Sequence, residues 1–175
     1  TAGEAREAHT SATASGNRKK ITKAVVMKVF VRFNMDDVPA DGRFMLLDAA
    51  MYADLLDDLT DKELSAFLAC ADASRGVLGK LYGFEIMLRS QVLRTTANGA
   101  AILKWEEDDA ATELAAGLAW QQDCVSRALG DVKMFDDMGN PTYYGDIYSF
   151  LVRTGGSPRR YDGKGIAAII ESNAA

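Results

Sequence analysis

Reactive side chains are scarce in this chain. Among its 175 residues there is one histidine, His9, and there are two cysteines, Cys70 and Cys124. His9 sits in a polar N-terminal stretch, where a surface residue is expected rather than a general base. With no other histidine available, Cys-His and Ser-His nucleophilic pairs are excluded unless His9 docks elsewhere. Neither cysteine has a second Cys or a His at ligand spacing, so zinc is not expected. Both read as buried thiols of a reducing compartment rather than as a disulfide.

Positive charge and long apolar runs are lacking too. The net charge is −5 and the pI about 4.9. That argues against a protein whose main task is wrapping nucleic acid, because neutralising phosphates needs clustered Lys and Arg. The run from Ala24 to Val31 is interrupted by Lys28 and falls far short of the roughly 20 residues that span a bilayer. The chain begins at Thr1 with no charged region leading into an apolar one, and reads as a fragment or processed product.

What is present is ordinary globular material, 48% hydrophobic and 26% charged. The length suits one domain, or one domain with an extension of another, and needs no metal or disulfide staple. Residues 1–17 carry no large apolar side chain and are expected to form a flexible tail or linker. From Arg18 to Phe33, Ile21, Val25, Val29 and Phe33 recur every four residues among basic ones, which predicts an amphipathic helix. Pro39 and Gly42 end it in a turn. Arg43 to Leu47 then reads as a short strand, and Asp48 as the N-cap of a helix carrying Met51, Tyr52, Leu55, Leu56 and Leu59. Thr60 and Glu63 form a capping box for a second helix continued by Leu64, Phe67, Leu68 and Ala71.

Glycines 76, 79 and 83 argue for a loop leading into a strand that runs to Leu88. No Lys-Ser/Thr follows them, so they do not form a phosphate-binding loop. Asn98-Gly99 predicts a hairpin with Ala100 to Leu103. Of Leu114 to Trp120 and Gln121 to Leu129, the second has helical character. Val132 to Phe135 reads as a strand edge, Asp137 to Pro141 as a turn, and Ile147 to Arg153 with Gly165 to Ile170 as a long antiparallel pair. The carboxylates around Asp57, Glu106 and Asp136 fit no calcium loop and read as solvated or inter-subunit faces. The basic helix, with only Phe30 and Phe33 as aromatic residues, reads as a surface helix rather than a nucleic-acid contact.

Four segments carry a resemblance. Asp37-Val38-Pro39-Ala40-Asp41-Gly42-Arg43-Phe44-Met45-Leu46-Leu47-Asp48, followed by Tyr52 and Leu55-Leu56, is similar to a stretch of tailed-phage major capsid proteins in which a Val-Pro turn leads through an Arg into a short strand and a helix. Gly76-Val77-Leu78-Gly79-Lys80-Leu81-Tyr82-Gly83-Phe84-Glu85-Ile86 resembles the Gly-Phe-x-Ile strand of the same domain. Gly117-Leu118-Ala119-Trp120 leading to Val125 and Ala128-Leu129 is the third. Tyr144-Gly145-Asp146-Ile147-Tyr148-Ser149-Phe150 with Gly155-Gly156, Arg159-Arg160 and Gly165-Ile166 is the fourth. Their order and spacing, over Ile21 to Glu171, carry the weight.

The resemblance implies the Hong Kong 97-type fold: α+β, a central mixed sheet flanked by helices as an axial domain, plus extended antiparallel strands of a peripheral domain. It places residues 18–114 in the axial part and 115–175 in the returning, peripheral part. The family's N-terminal arm, extended loop and long spine helix have no counterpart in this chain. The implied function is that of a non-enzymatic virion protein, self-assembling into pentamers and hexamers that enclose DNA and made in the bacterial host cytoplasm. Its expected partners are copies of itself, with a scaffolding protein or assembly protease; no cofactor, membrane or sequence-specific nucleic acid is expected. The chain alone is expected to be a monomer or weak oligomer. Candidate subunit contacts are Trp105, Glu106 and Glu107 of one copy against Arg159 and Arg160 of another, with two independent solvated loops as the alternative. An encapsulin-like compartment shell, or a small α+β ligand-binding or enzymatic domain using the acidic loops, are the rival readings; the last requires a concave polar site with perturbed carboxylates.

Overall fold

The computed structural model describes residues 7–10, 14–15, 18–90, 92–96, 102, 114–140, 142 and 144–172. The fold is α+β, as expected. Strands are β1 (Glu7–His9), β2 (Ala14–Ser15), β3 (Arg18–Lys19), β4 (Arg43–Leu47), β5 (Gly79–Leu81), β6 (Phe84–Leu88), β7 (Leu93–Thr95), β8 (Leu114–Gln121), β9 (Val125–Asn140), β10 (Gly145–Pro158) and β11 (Ile166–Ile170); helices are α1 (Lys23–Met35), α2 (Ala49–Asp58) and α3 (Asp61–Ala69). Seven strands form one mixed sheet in the order β1-β11-β8-β4-β6-β5, with β7 also on β8. The β1–β11 and β4–β6 pairs are parallel. Among the described residues, strands β9 and β10 pair only with each other.

The expected α1 face is the one that packs: Val25, Val26, Val29 and Phe33 are buried. The helix begins at Lys23 rather than Arg18, because Arg18–Lys19 is drawn into a strand with Ala14–Ser15 and the Lys19 N–H donates to the Ser172 carbonyl. Thr22 makes no side-chain cap; the Lys23 N–H donates instead to the Asp58 carboxylate of α2 at 2.7 Å. A tertiary contact thus does the work of a local cap. Asp48 accepts from the Ala50 N–H, and the Glu63 carboxylate accepts from both the N–H and the hydroxyl of Thr60, so the two predicted helix starts are in place.

The helices cover one face of the sheet through alternating residues: Met45 and Leu47 of β4, Phe84 and Ile86 of β6, Ala115 and Ala119 of β8, Ala167 and Ile169 of β11. Small residues on β8 permit this close approach. A Cβ at Gly117 would meet Leu47 Cδ2 at 2.8 Å and the Leu46 carbonyl at 3.0 Å. Across β5, a Cβ at Gly79 would lie 2.5 Å from the ring of buried Phe67. The glycine-rich loop closes as a hairpin between β5 and β6, with Tyr82 and Gly83 both at positive φ, +48° and +81°.

Several expectations are corrected. The supposed N-terminal tail supplies β1, which lengthens the sheet beside β11; an edge strand is held by its ladder and needs no large side chains. Gln121 to Leu129 is no helix: a 3-10 turn at Gln122–Cys124 leads into the long strand β9. Here pairing with β10 overrides local propensity. Asp137 to Asn140 belongs to that strand, so the turn falls after it. Ile147 to Arg153 pairs with β9, whereas Ile166–Ile170 pairs with β8. Cys124 is buried as expected, but Cys70, at the end of α3, is exposed. The Asn98-Gly99 turn lies outside the described residues, though Thr95 and Ile102 on either side of it form an antiparallel bridge.

Candidate assembly surface

Arg43 is deeply buried, 2% exposed, with its guanidinium 5.7 Å from the ring centroids of Phe30 and Phe33 and 6.0 Å from that of Phe84. It donates to the carbonyls of Pro39 and Val38 and to the amide oxygen of Asn34. These partners lie at the C-terminal end of α1 and just beyond it, where carbonyls left without an intrahelical donor favour a cation. Burial pulls its pKa down from the usual arginine value. The arrangement fixes the exit of α1 on β4. It is a structural clamp, its three hydrogen bonds made within its own chain.

A second buried polar group joins the ends of the chain. Glu171, 2% exposed, accepts from the Ala115 N–H and from Arg18, and Arg18 also reaches Asp54 of α2. Burial raises the Glu171 pKa, against the opposing pull of the Ala115 N–H and of Arg18. Glu85, buried on β6, is paired with Arg75 and Lys80. Each of these carboxylates has a basic partner. Among the described residues no group of three or more His, Cys, Asp and Glu could hold a metal ion, and no helix is long and apolar enough to cross a membrane.

The exposed surface with the most unusual composition is the β9–β10 ribbon. Leu129, Val132, Met134, Phe135, Met138, Tyr148, Phe150 and Val152 are 50–69% exposed. Register sorts them. Val132 pairs with Val152, Met134 with Phe150, Asp136 with Tyr148, and a bulge brings Leu129 opposite Thr154. Directly opposed residues share a face, so one side of the ribbon is an almost unbroken apolar band. Its signal is present in the sequence as the two-residue spacing of Val132 and Met134 and of Tyr148, Phe150 and Val152; a turn over Asp137 to Pro141 would cut the strand short and hide it.

Of the candidate contact residues, Trp105, Glu106 and Glu107 lie outside the described residues. Arg159 and Arg160 follow β10 at the base of the ribbon: the Arg159 N–H donates to the Cys124 carbonyl at 2.8 Å, and Arg160 pairs with Asp162 at 3.1 Å. Arg159 is exposed and Arg160 half-buried. Beside them the ribbon meets the face of the sheet opposite the helices in a shallow apolar hollow lined by Leu118, Trp120, Val125, Pro158 and Ile166.

No protein-family model matches the chain, and no curated protein does. Solved structures do. A chain of the capsid structure of cyanophage P-SCSP1u superposes over 94% of this chain and 53% of its own length, with a TM-score of 0.57 and 14% identity. A chain from Mycobacterium phage Che8 covers the same shares at a TM-score of 0.56 and 14% identity. One from the head of Helicobacter pylori bacteriophage KHP40 covers 95% of this chain and 62% of its own, at 0.57 and 13% identity. This chain therefore spans little more than half the length of those chains, and it has a fold like that of tailed-phage major capsid proteins.

Proposed function

We propose that the chain is a structural part of a phage or prophage capsid subunit, of the Hong Kong 97 type, whose work is association with copies of itself. The observation that supports this most is the shared fold over 94–95% of the chain with phage capsid and head structures. The composition of the ribbon agrees, since a long apolar band in solvent is what an unfilled interface looks like. A reactive centre is not part of this reading. The sheet and helices would form the axial part; because β8 and β11 lie in the same sheet as β4, that part takes in residues beyond 114, and β9–β10 is the peripheral extension. Pentamers and hexamers enclosing DNA, assembly in the host cytoplasm with a scaffolding protein or protease, and residence in the virion follow from the same reading. So does a contact of Trp105, Glu106 and Glu107 with a neighbour's Arg159 and Arg160.

Electron microscopy of the chain, alone and within any longer polypeptide that carries it, tests the proposal. Closed shells or capsomer rings are the expected result for the longer polypeptide, and a monomer or weak oligomer for the chain alone. Small soluble species under every condition, together with saturable binding of a metabolite, would overturn it.

A further inference from the structure

The apolar face of the β9–β10 ribbon has an order along its length that is complementary to itself. From the base of the ribbon outward its rungs are Arg127 opposite Gly156, Leu129 opposite Thr154, Val132 opposite Val152, Met134 opposite Phe150, and Asp136 opposite Tyr148. A base is at one end, an acid at the other, and the valine rung lies midway. Arg127 and Asp136 are both exposed, as are the apolar residues between them.

We infer that two copies of this chain associate through this face, ribbon against ribbon and antiparallel, about a two-fold axis at the Val132–Val152 rung. In that arrangement Arg127 of each copy meets Asp136 of the other, Leu129 packs on the Met134–Phe150 rung, and the valine rungs stack on each other. A two-fold contact must be self-complementary, and this sequence of rungs is. A parallel arrangement would set Arg127 against Arg127 and Asp136 against Asp136. The absence of a side chain at Gly156 leaves room beside Arg127 for the incoming carboxylate.

The size of the face sets the strength. Nine residues at about 3.3 Å each and a ribbon about 10 Å wide give roughly 300 to 400 Å² per copy, or about 600 to 800 Å² in total, below what a stable dimer needs and in the range of weak, transient contacts. The contact is therefore weak by itself, with dissociation in the micromolar range or above. Weak contacts of this kind become effective when many are made at once within one assembly. The inference deepens the self-association proposed above by naming one face and its partner.

Sedimentation velocity of the 175-residue chain from low micromolar to millimolar concentration reads it directly. A monomer–dimer equilibrium is expected. Met134→Glu should weaken it by at least about tenfold, and Arg127→Asp or Asp136→Arg alone by about tenfold, by bringing like charges together. The two charge variants should form a mixed dimer when combined, and the double variant R127D/D136R should regain self-association. A chain that stays monomeric throughout, a dimer indifferent to Met134→Glu, or a double variant no better than the singles would each overturn the inference. Electron microscopy of the same variants separates it from the broader proposal. Shells that assemble equally well with Met134→Glu sink the ribbon contact and leave the capsid reading standing; a ribbon dimer from a polypeptide that never makes shells does the reverse.

Discussion

The helix-covered mixed sheet and the antiparallel β9–β10 ribbon both carry aromatic and aliphatic side chains, yet they meet solvent in opposite ways. Phe33, Phe67 and Phe84 in the body are at most 1% exposed, whereas Phe135 and Phe150 in the ribbon are 52% and 69% exposed. The body is held by burial, at about 2 to 3 kcal/mol for each large apolar side chain removed from water. The ribbon is held by its ladder alone, and an isolated two-stranded hairpin is marginal in water. Within one chain, then, stability and association are carried by different regions, and changes in the two should show up in different measurements.

The sharpest test of that division is at Phe67. Phe67→Ala empties a fully buried site under the β5 strand and should lower the unfolding free energy by about 3–5 kcal/mol, read as a fall in the denaturation midpoint. The facing glycine reports the same contact from the other side. Gly79→Ala places a Cβ 2.5 Å from the Phe67 ring and should cost about 1–3 kcal/mol by overpacking. In the Phe67→Ala background that second cost should vanish, which a double-mutant cycle measures. If Phe67→Ala left the midpoint unmoved, the body would not be the stabilising region.

Arg43 comes next. Arg43→Met keeps the stem against Phe30, Phe33 and Phe84 but removes the donors to Val38, Pro39 and Asn34, leaving a buried carbonyl at Val38 without its partner. A loss of about 1–3 kcal/mol is expected. Restoration of stability by Arg43→Lys would mean that charge alone, and not the planar fork, does the work.

Where local chemistry decided the outcome, the sequence was a sufficient guide. Asp48, Thr60 and Glu63 mark the helix starts they were read to mark, and Ile21, Val25, Val29 and Phe33 are buried as their spacing implies. Where a distant strand decided it, the sequence misled. Gln121 to Leu129 contains good helix formers, and only the ladder to Thr154–Pro158 makes Val125–Leu129 a strand. Glu7–His9 carries no large apolar residue in its sequence and joins the sheet through its parallel ladder to β11. The ribbon was half legible: its alternation is in the sequence, but the acidic, glycine-containing stretch Asp136 to Asn140 carries strand geometry only because β10 runs opposite it. No composition rule distinguishes that stretch from a turn.

Two glutamates of the body tie its stability to pH in opposite directions. Hydrogen bonds from the Thr60 backbone, and then from Lys23 and the Thr60 hydroxyl, bring the Glu63 pKa down from 4.5 to about 2. Its contribution is therefore complete above pH 4.5 and is lost as pH falls towards about 2. Glu171 is raised by burial, so its share is complete below the ordinary carboxyl range and declines as pH rises through its folded-state value. Glu63→Gln should flatten the acid limb of the stability profile, and Glu171→Gln the limb above it. Identical profiles for wild type and Glu63→Gln would mean that the capping carboxylate of α3 is not held as described.

The smallest effects belong to the ribbon, and their smallness is the informative part. Phe150→Ser or Val132→Thr removes a side chain that is already mostly in water, so the unfolding free energy of the monomer should change by less than about 0.5 kcal/mol. Ribbon amides between Val132 and Asn140 should exchange with solvent by local opening, at far lower free energy than those of β4 and β8. At concentrations where the chain self-associates, that exchange should slow in wild type and not in Met134→Glu, while the amides of β4 are unaffected. Ribbon protection equal to that of β4 in dilute monomer would mean the two regions form one cooperative unit. The contrast between a self-sufficient body and a ribbon completed by a partner would then fail.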